Sequence, residues 1–566
     1  MCHLFCRVKI NRDFCANLAF LRNKIDGFQT DVPCKFAVYN RITEKLMGDI
    51  TTKLLFLRFR KQTENMAENK LGSLAKQTAI YGLSSIIGRF LNYLLVPLYT
   101  YKIAAESGGY GIVTNLYAYT ALLLVILTFG METTFFRFSN KEGIDPNKAF
   151  SISSLAVGLV SLVFVILVSV FLKPISNALH YTTHPEYVEI MAIVVALDAF
   201  QAILFARLRH ENKAIKFATL KLLFIFLNIG LNLFIFLVAP SLKESHPALM
   251  GWYDNSYQVG YIFIVNLICT GLITLCFIPE IKKLRYGIDR EILKQMLHYT
   301  WPLLLLGLAG ILNQVADKIC YRFIVPGEEG DIQLGIYGAC VKIAMIMAMI
   351  TQAFRYAYEP FVFGGKRDTE DKETQAKVMK YFIIFTLLAF LAVVMYMPIL
   401  RHIIKSDYWE GLRVVPIVMM AEIFMGIYFN LSFWYKLIDE TWWGAIFSAI
   451  GCVVLLAINF IFVPKYGYMA CAWGGFAGYG TCMVLSYLVG QKKAPIPYNL
   501  KSAFIYFAVA IALYFVQKNI HIENNIWTLV VNTSLLLVFF AFICWMEKDL
   551  VKGVINVVNS KILKKK

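Results

Sequence analysis

The stretch AFSISSLAVGLVSLVFVILVSVFL, residues 149–172, runs 24 residues without a charged side chain. Coiled as an α-helix, at ~1.5 Å per residue, it reaches about 36 Å. That exceeds the ~30 Å hydrocarbon core of a bilayer. Hydrocarbon offers no partner to a backbone N–H or C=O, so only helices and closed barrels cross it. Barrel strands read as alternating segments of ~10 residues; this run is continuous, which selects the helix. Comparable runs fall at about 76–100, 110–135, 187–206, 214–238, 256–278, 299–324, 334–359, 378–400, 414–435, 442–463, 466–490, 501–517 and 526–546. The expectation is an all-α polytopic membrane protein of about 14 transmembrane helices. Composition agrees: 58% of the 566 residues are apolar, 16% are charged, and the mean hydropathy is +0.60. A soluble chain carries ~25% charged residues.

On a soluble protein the net charge of +18 would suggest nucleic acid. Here Lys and Arg crowd into alternate connecting loops, and membrane topology explains them without that partner. One set of loops, with Arg137, Lys141, Arg207, Arg209, Lys282, Lys283, Lys366 and Lys492 among its members, holds 21 basic residues. The other set holds 8. Basic loops stay cytoplasmic, so both termini are expected there, and the Lys564–Lys566 tail agrees. Eight cysteines lie in or beside apolar runs, where a free thiol packs as a small hydrophobe. Cys2, Cys6, Cys15 and Cys34 match no zinc spacing. No metal and no cofactor is implied.

Residues 1–65 form a basic extension without a membrane-length run, and Met66 opens a stretch that reads as a natural start. The extension is read as an upstream mis-set start or a disordered tail. The remaining boundaries are 66–290 for spans 1–6, 291–490 for spans 7–12, and 491–566 for two further spans and a basic tail. An internal repeat supports the first two. Span 2 opens at Tyr110-Gly111 and reaches Glu132 and Phe136; span 8 opens at Tyr337-Gly338 and reaches Glu359 and Phe363 at the same spacing. Asn92 and Asn313 sit at similar depths in spans 1 and 7. Transporters built from such halves place their site between them, near mid-membrane.

The opening LAKQTAIYGLSSIIGRFLNYLLVPLYT (74–100), the Tyr-Gly start of span 2 and its end LTFGMETTFFRF (127–138) resemble bacterial polysaccharide-biosynthesis transporters. These are the O-antigen-type flippases of the multidrug/oligosaccharidyl-lipid/polysaccharide exporter superfamily. The resemblance covers about residues 70–550. It implies two six-helix lobes around a cavity, two extra C-terminal helices, and transbilayer movement of a sugar on a polyprenyl diphosphate.

Ionisable groups inside spans each cost about 2.5–3.5 kcal/mol at the bilayer centre, so each needs a partner or a wet cavity. Arg89 shares a helical face with Ser85 and Asn92. It reads as a grip on diphosphate or as an ion pair with Asp198 or Glu422. Lys342 in span 8, and Lys221 with Asn228 and Asn232 in span 5, read as walls of a polar cavity; Lys221 could instead snorkel to cytoplasmic water. Span 7 carries Asn313, Asp317 and Tyr321 in one row and Gln314, Lys318 and Arg322 in the next. Asp317 reads as a local ion pair or a substrate contact. Asp198, with Gln201, and Glu422 are candidate coupling acids. Glu132 and Glu359, beside Arg137 and Arg355, read as gate or interface salt bridges. Pro97 should kink span 1. Gly474 and Gly478 are spaced for close helix packing.

No HExxH, nucleophile elbow or phosphate-loop lysine motif is present, and the chain reads as a non-enzyme. A glycan polymerase or glycosyltransferase would want a large outer loop, and the longest, about 239–255, is short. The expected function is alternating access for a lipid-linked oligosaccharide in a bacterial inner membrane. Arg89 and Lys342 would meet the diphosphate; Asn92, Asn228, Asn232, Asn313 and Gln352 would meet sugar hydroxyls. The expected partners are this cargo, membrane lipid and glycosyltransferases and polymerase of the same pathway, around a monomer. A multidrug exporter and a lipid II flippase are the alternatives.

Overall fold

The computed structural model describes residues 91, 93–284, 289–364, 369–438, 440–520 and 524–548. Span 1 falls mostly outside them. Its described end is a turn at Leu94 followed by helix α1 (Leu95–Lys102), so the break lies just before Pro97.

Every other expected span is a helix. Span 2 is two: α2 (Gly109–Thr128) and α3 (Met131–Ser139), parted by Phe129 and Gly130 at φ 34° and 74°. Then follow α4 (Pro146–Val170), α5 (Pro185–His210), α6 (Ala214–Leu233) and α7 (Gln258–Cys276). Next come α8 (Arg290–Ile324), α9 (Glu328–Gly364) and α10 (Thr369–Met395). The series ends with α11 (Val415–Leu431), α12 (Trp442–Tyr466), α13 (Tyr468–Lys493), α14 (Leu500–Asn519) and α15 (Asn525–Met546). Twelve segments of the described residues are long and apolar enough to cross a membrane. Helix α13 is not among them, yet at 26 residues it reaches about 39 Å. Its glycines, tyrosines and serine lower its hydropathy without shortening it.

Starts are set by local chemistry. Asp145 accepts from Asn147 N, with Pro146 at the first turn of α4. Asp289, Asn499 and Asn524 cap α8, α14 and α15 in the same way, each satisfying a backbone N–H that has no partner within its helix. Outward faces are apolar: Leu159, Leu162, Phe226, Val453, Phe460, Ile461 and Phe504 are all exposed, as lipid contact requires.

Helices α4 and α7 pack on α5, and α11 and α12 pack on α13. Between these groups α2 lies along both α8 and α9. Helices α14 and α15 sit against α10, held by Glu547, which takes bonds from Lys380 at 2.7 Å and Tyr506 at 2.8 Å. Gly478 allows the α12–α13 contact: a Cβ there would stand 2.9 Å from the Gly451 carbonyl.

Candidate functional site

The repeat glycines lie where the N-terminal ends of α2 and α9 cross. A Cβ on Gly111 would stand 2.8 Å from the carbonyl carbon of Asp331, and one on Gly335 3.0 Å from Gly111 N. A Cβ on Gly338 would stand 3.0 Å from Thr114 Cβ. Polar bonds close the same end. Asn115 of α2, fully buried, donates to the Lys318 carbonyl of α8 at 2.7 Å and accepts from Tyr181 OH at 2.7 Å. Arg322 of α8 donates to Asp331 at 3.1 Å and to the His180 carbonyl at 2.9 Å, with its guanidinium 3.8 Å from the Tyr181 ring centroid. Tyr408 OH donates to the Ile103 carbonyl at 2.9 Å. The first and second groups of helices are therefore tied together at this end of the bundle.

Below this crossing lies a cluster of charges inside the bundle. Lys318 bonds Asp317 at 2.9 Å, and Asp317 also accepts from Tyr337 OH at 2.8 Å. The Lys318 charge acts on both Lys342 of α9 and Glu422 of α11. Lys342 and Glu422 are half-buried, with protein crowded around them. Among the described residues Lys342 has no hydrogen bond and no carboxylate partner. A charge at this depth needs a partner or water, since lipid would not solvate it. In α8, Asn313, Asp317 and Tyr321 are buried in packing, while in the adjacent row Gln314 is exposed, Lys318 half-buried and Arg322 buried.

A second charged group lies in the first helix group. Asp198 on α5 accepts from Thr270 at 3.5 Å and feels the charge of Lys221. Lys221 is exposed although protein surrounds it, and its Nζ sits 4.0 Å from the Phe205 ring centroid. Gln201 beside Asp198 is occupied by the Thr270 carbonyl and Thr274.

Partners are set by tertiary packing. Glu132 forms an interhelix salt bridge with Arg209 of α5 rather than with the neighbouring Arg137. Arg137 lies five residues on, about 140° around the helix from Glu132, and stacks on Tyr299 at 4.1 Å. Asn228 and Asn232 are buried in packing. Asn232 is fully buried, donating to the Asn228 carbonyl at 2.8 Å and accepting from Tyr99 OH at 3.0 Å, because α1 covers that face. Asn313 donates to the Ser448 carbonyl at 2.5 Å, tying α8 to α12. Gln352 is half-buried on α9. Arg89 and Asn92 lie outside the described residues, as does the side chain of Glu359. Asn115, Tyr181 and Asp331 escaped the sequence reading. Asn115 is one amide in an apolar run, and the other two sit at loop or helix edges where polar residues are ordinary.

A sequence-family profile described as "Polysaccharide biosynthesis protein" matches residues 74–357. The solved "Lipid II flippase MurJ, inward closed conformation" is similar in fold, with a TM-score of 0.65 at 17% identity, covering 83% of this chain and 99% of its own. An inward-facing "multidrug resistance MATE family transporter of the MOP superfamily" superposes with a TM-score of 0.54 at 15% identity, covering 71% and 94%. No curated protein sequence matches the chain.

Proposed function

Because this chain belongs to the polysaccharide biosynthesis protein family, we propose that it moves a polyprenyl-diphosphate-linked oligosaccharide from the cytoplasmic to the outer leaflet by alternating access. The observation that carries this reading is Lys342: a cation within the bundle, in the field of a second cation, Lys318, and without a carboxylate of its own. Lys318 is already paired with Asp317 at 2.9 Å, so a diphosphate beside Lys342 would supply the anion that Lys342 lacks. Burying an unpaired ion costs tens of kcal/mol in the idealised limit, so a diphosphate needs a polar void to cross.

In this reading the crossed N-terminal ends of α2 and α9 are the outer ends and are sealed, which corresponds to the state that receives cargo from the cytoplasm. The lipid tail remains in the bilayer beside the opening. Asp198 and Glu422 serve as coupling acids, since each feels one lysine, Lys221 and Lys318 respectively. The protein works in a bacterial cytoplasmic membrane with both termini inside, following the asymmetry of its basic loops.

The resemblance to the flippase named for lipid II keeps that cargo as a second reading, with the same charge logic. Organic cations fit worse, because Lys342, which has no carboxylate partner among the described residues, would repel them. Purified protein in liposomes should translocate a fluorescent prenyl-diphosphate saccharide. Accumulation of an organic cation dye in its place would refute the proposal.

A further inference from the structure

At the end opposite the seal, a cleft of about 700 Å³ opens where α3, the start of α8 and the loop before α12 meet. Arg137, Lys141, Gln295, His298, Tyr299 and Thr441 line it. Its charges are unlike their neighbours. Arg209 is paired with Glu132, Arg207 with Glu211 at 2.7 Å, Lys213 with Glu211 at 2.6 Å, and Lys216 with Glu280 at 2.7 Å. Among the described residues Arg137 and Lys141 have no carboxylate partner. Arg137 lies over the Tyr299 ring, its guanidinium carbon 4.1 Å from the centroid. A guanidinium can present two parallel donors to phosphate oxygens. Lys141 is steered by Gln295 Oε1 at 3.2 Å and retains further N–H donors.

We propose that this cleft is a loading site for the phosphate-bearing headgroup of the cargo, occupied before the headgroup reaches Lys318 and Lys342. The inference rests on the flippase reading above. Arg137 and Lys141 come from the first helix group, Gln295, His298 and Tyr299 from α8, and Thr441 from the second group. A bound diphosphate therefore touches both groups at their inner mouth. The volume suits a diphosphate with its first sugar, within the ~300–1,000 Å³ usual for ligand pockets.

The test uses the full chain in phosphatidylcholine nanodiscs, with farnesyl diphosphate as probe and farnesol as neutral control. Farnesyl diphosphate should bind and farnesol should not. R137Q/K141Q should weaken farnesyl diphosphate binding at least tenfold with an unchanged thermal midpoint, since both side chains are exposed. In liposomes the double variant should raise KM for the prenyl-diphosphate saccharide and leave kcat near the parent value. Unchanged affinity in R137Q/K141Q overturns the inference. Equal displacement of the probe by phosphatidylglycerol also overturns it, because the cleft would then be a general anionic-lipid site. If the parent chain translocates no diphosphate-linked saccharide, the functional reading itself fails; if it does so with a KM indifferent to R137Q/K141Q, only the loading site fails.

Discussion

Replacing Asp331 by Asn should unseal the outer face. Asp331 and Arg322 are 3.1 Å apart with side chains only 10% and 9% exposed. Removing one member of a buried pair strands the other, at a cost of about 3–5 kcal/mol. Arg322 would keep the His180 carbonyl and the Tyr181 ring, which places the loss near the lower bound, about 3 kcal/mol. That penalty applies only while the seal is shut, because water solvates the guanidinium once the ends part. With ~1.4 kcal/mol per factor of ten, the balance should move about a hundredfold toward an open outer end. Thr114, facing Gly338 across the crossing, provides the reporter: T114C labelled from outside by a membrane-impermeant maleimide, with native cysteines subtracted using the parent chain. T114C/D331N should label far faster than T114C. Equal rates would refute the assignment of Arg322 and Asp331 to the seal.

Three other outcomes follow from the same geometry. Gly338→Leu overfills the α2–α9 crossing and should destabilise the sealed state by about 1–3 kcal/mol, read as a lower thermal midpoint in detergent; an unchanged midpoint would mean the helices part freely there. Glu547→Ala leaves Lys380 and Tyr506 without their acceptor and should cost about 2 kcal/mol, since Lys380 is partly exposed; limited proteolysis of the α13–α14 loop should then speed up. Burial tends to raise the Glu211 carboxyl, but hydrogen bonds from Lys213 and Arg207 outweigh it and hold it below its ordinary value of 4.5. A depressed acid stabilises the fold above that value and loses its contribution as pH falls through the lowered one. The thermal midpoint of E211Q should therefore change less than that of the parent between about pH 5 and 3; a parallel decline would count against the pairing.

The spans were legible because length and charge deficit leave little choice inside a bilayer. Even α13, softened by Gly474, Gly478 and Gly480, was found from its uncharged length. The repeat Tyr-Gly pairs pointed to α2 and α9 as related helices but not to their contact, since sequence period carries no information about which helix faces which. Individual partners were harder for the same reason. Glu132 lies near Arg137 in sequence, but the left-handed break at Phe129–Gly130 re-aims α3, and Arg209 from α5 takes the contact. Asn228 and Asn232 share a stripe with Lys221 in sequence, but α1 covers its outer part through Tyr99, so Asn228 and Asn232 are buried while Lys221 is exposed. Lys342 could be read from its own helix because a charge at that depth is costly wherever it points.

The most direct test of the account is the translocation rate of a prenyl-diphosphate saccharide by Lys342→Met protein in liposomes, beside Lys342→Arg. A charge-assisted hydrogen bond to phosphate contributes about 1.5–3 kcal/mol. Loss of the cation should therefore slow transfer about tenfold to a hundredfold, and Arg should restore most of it. Parent-like transfer by the Met variant would contradict a diphosphate passing beside Lys342.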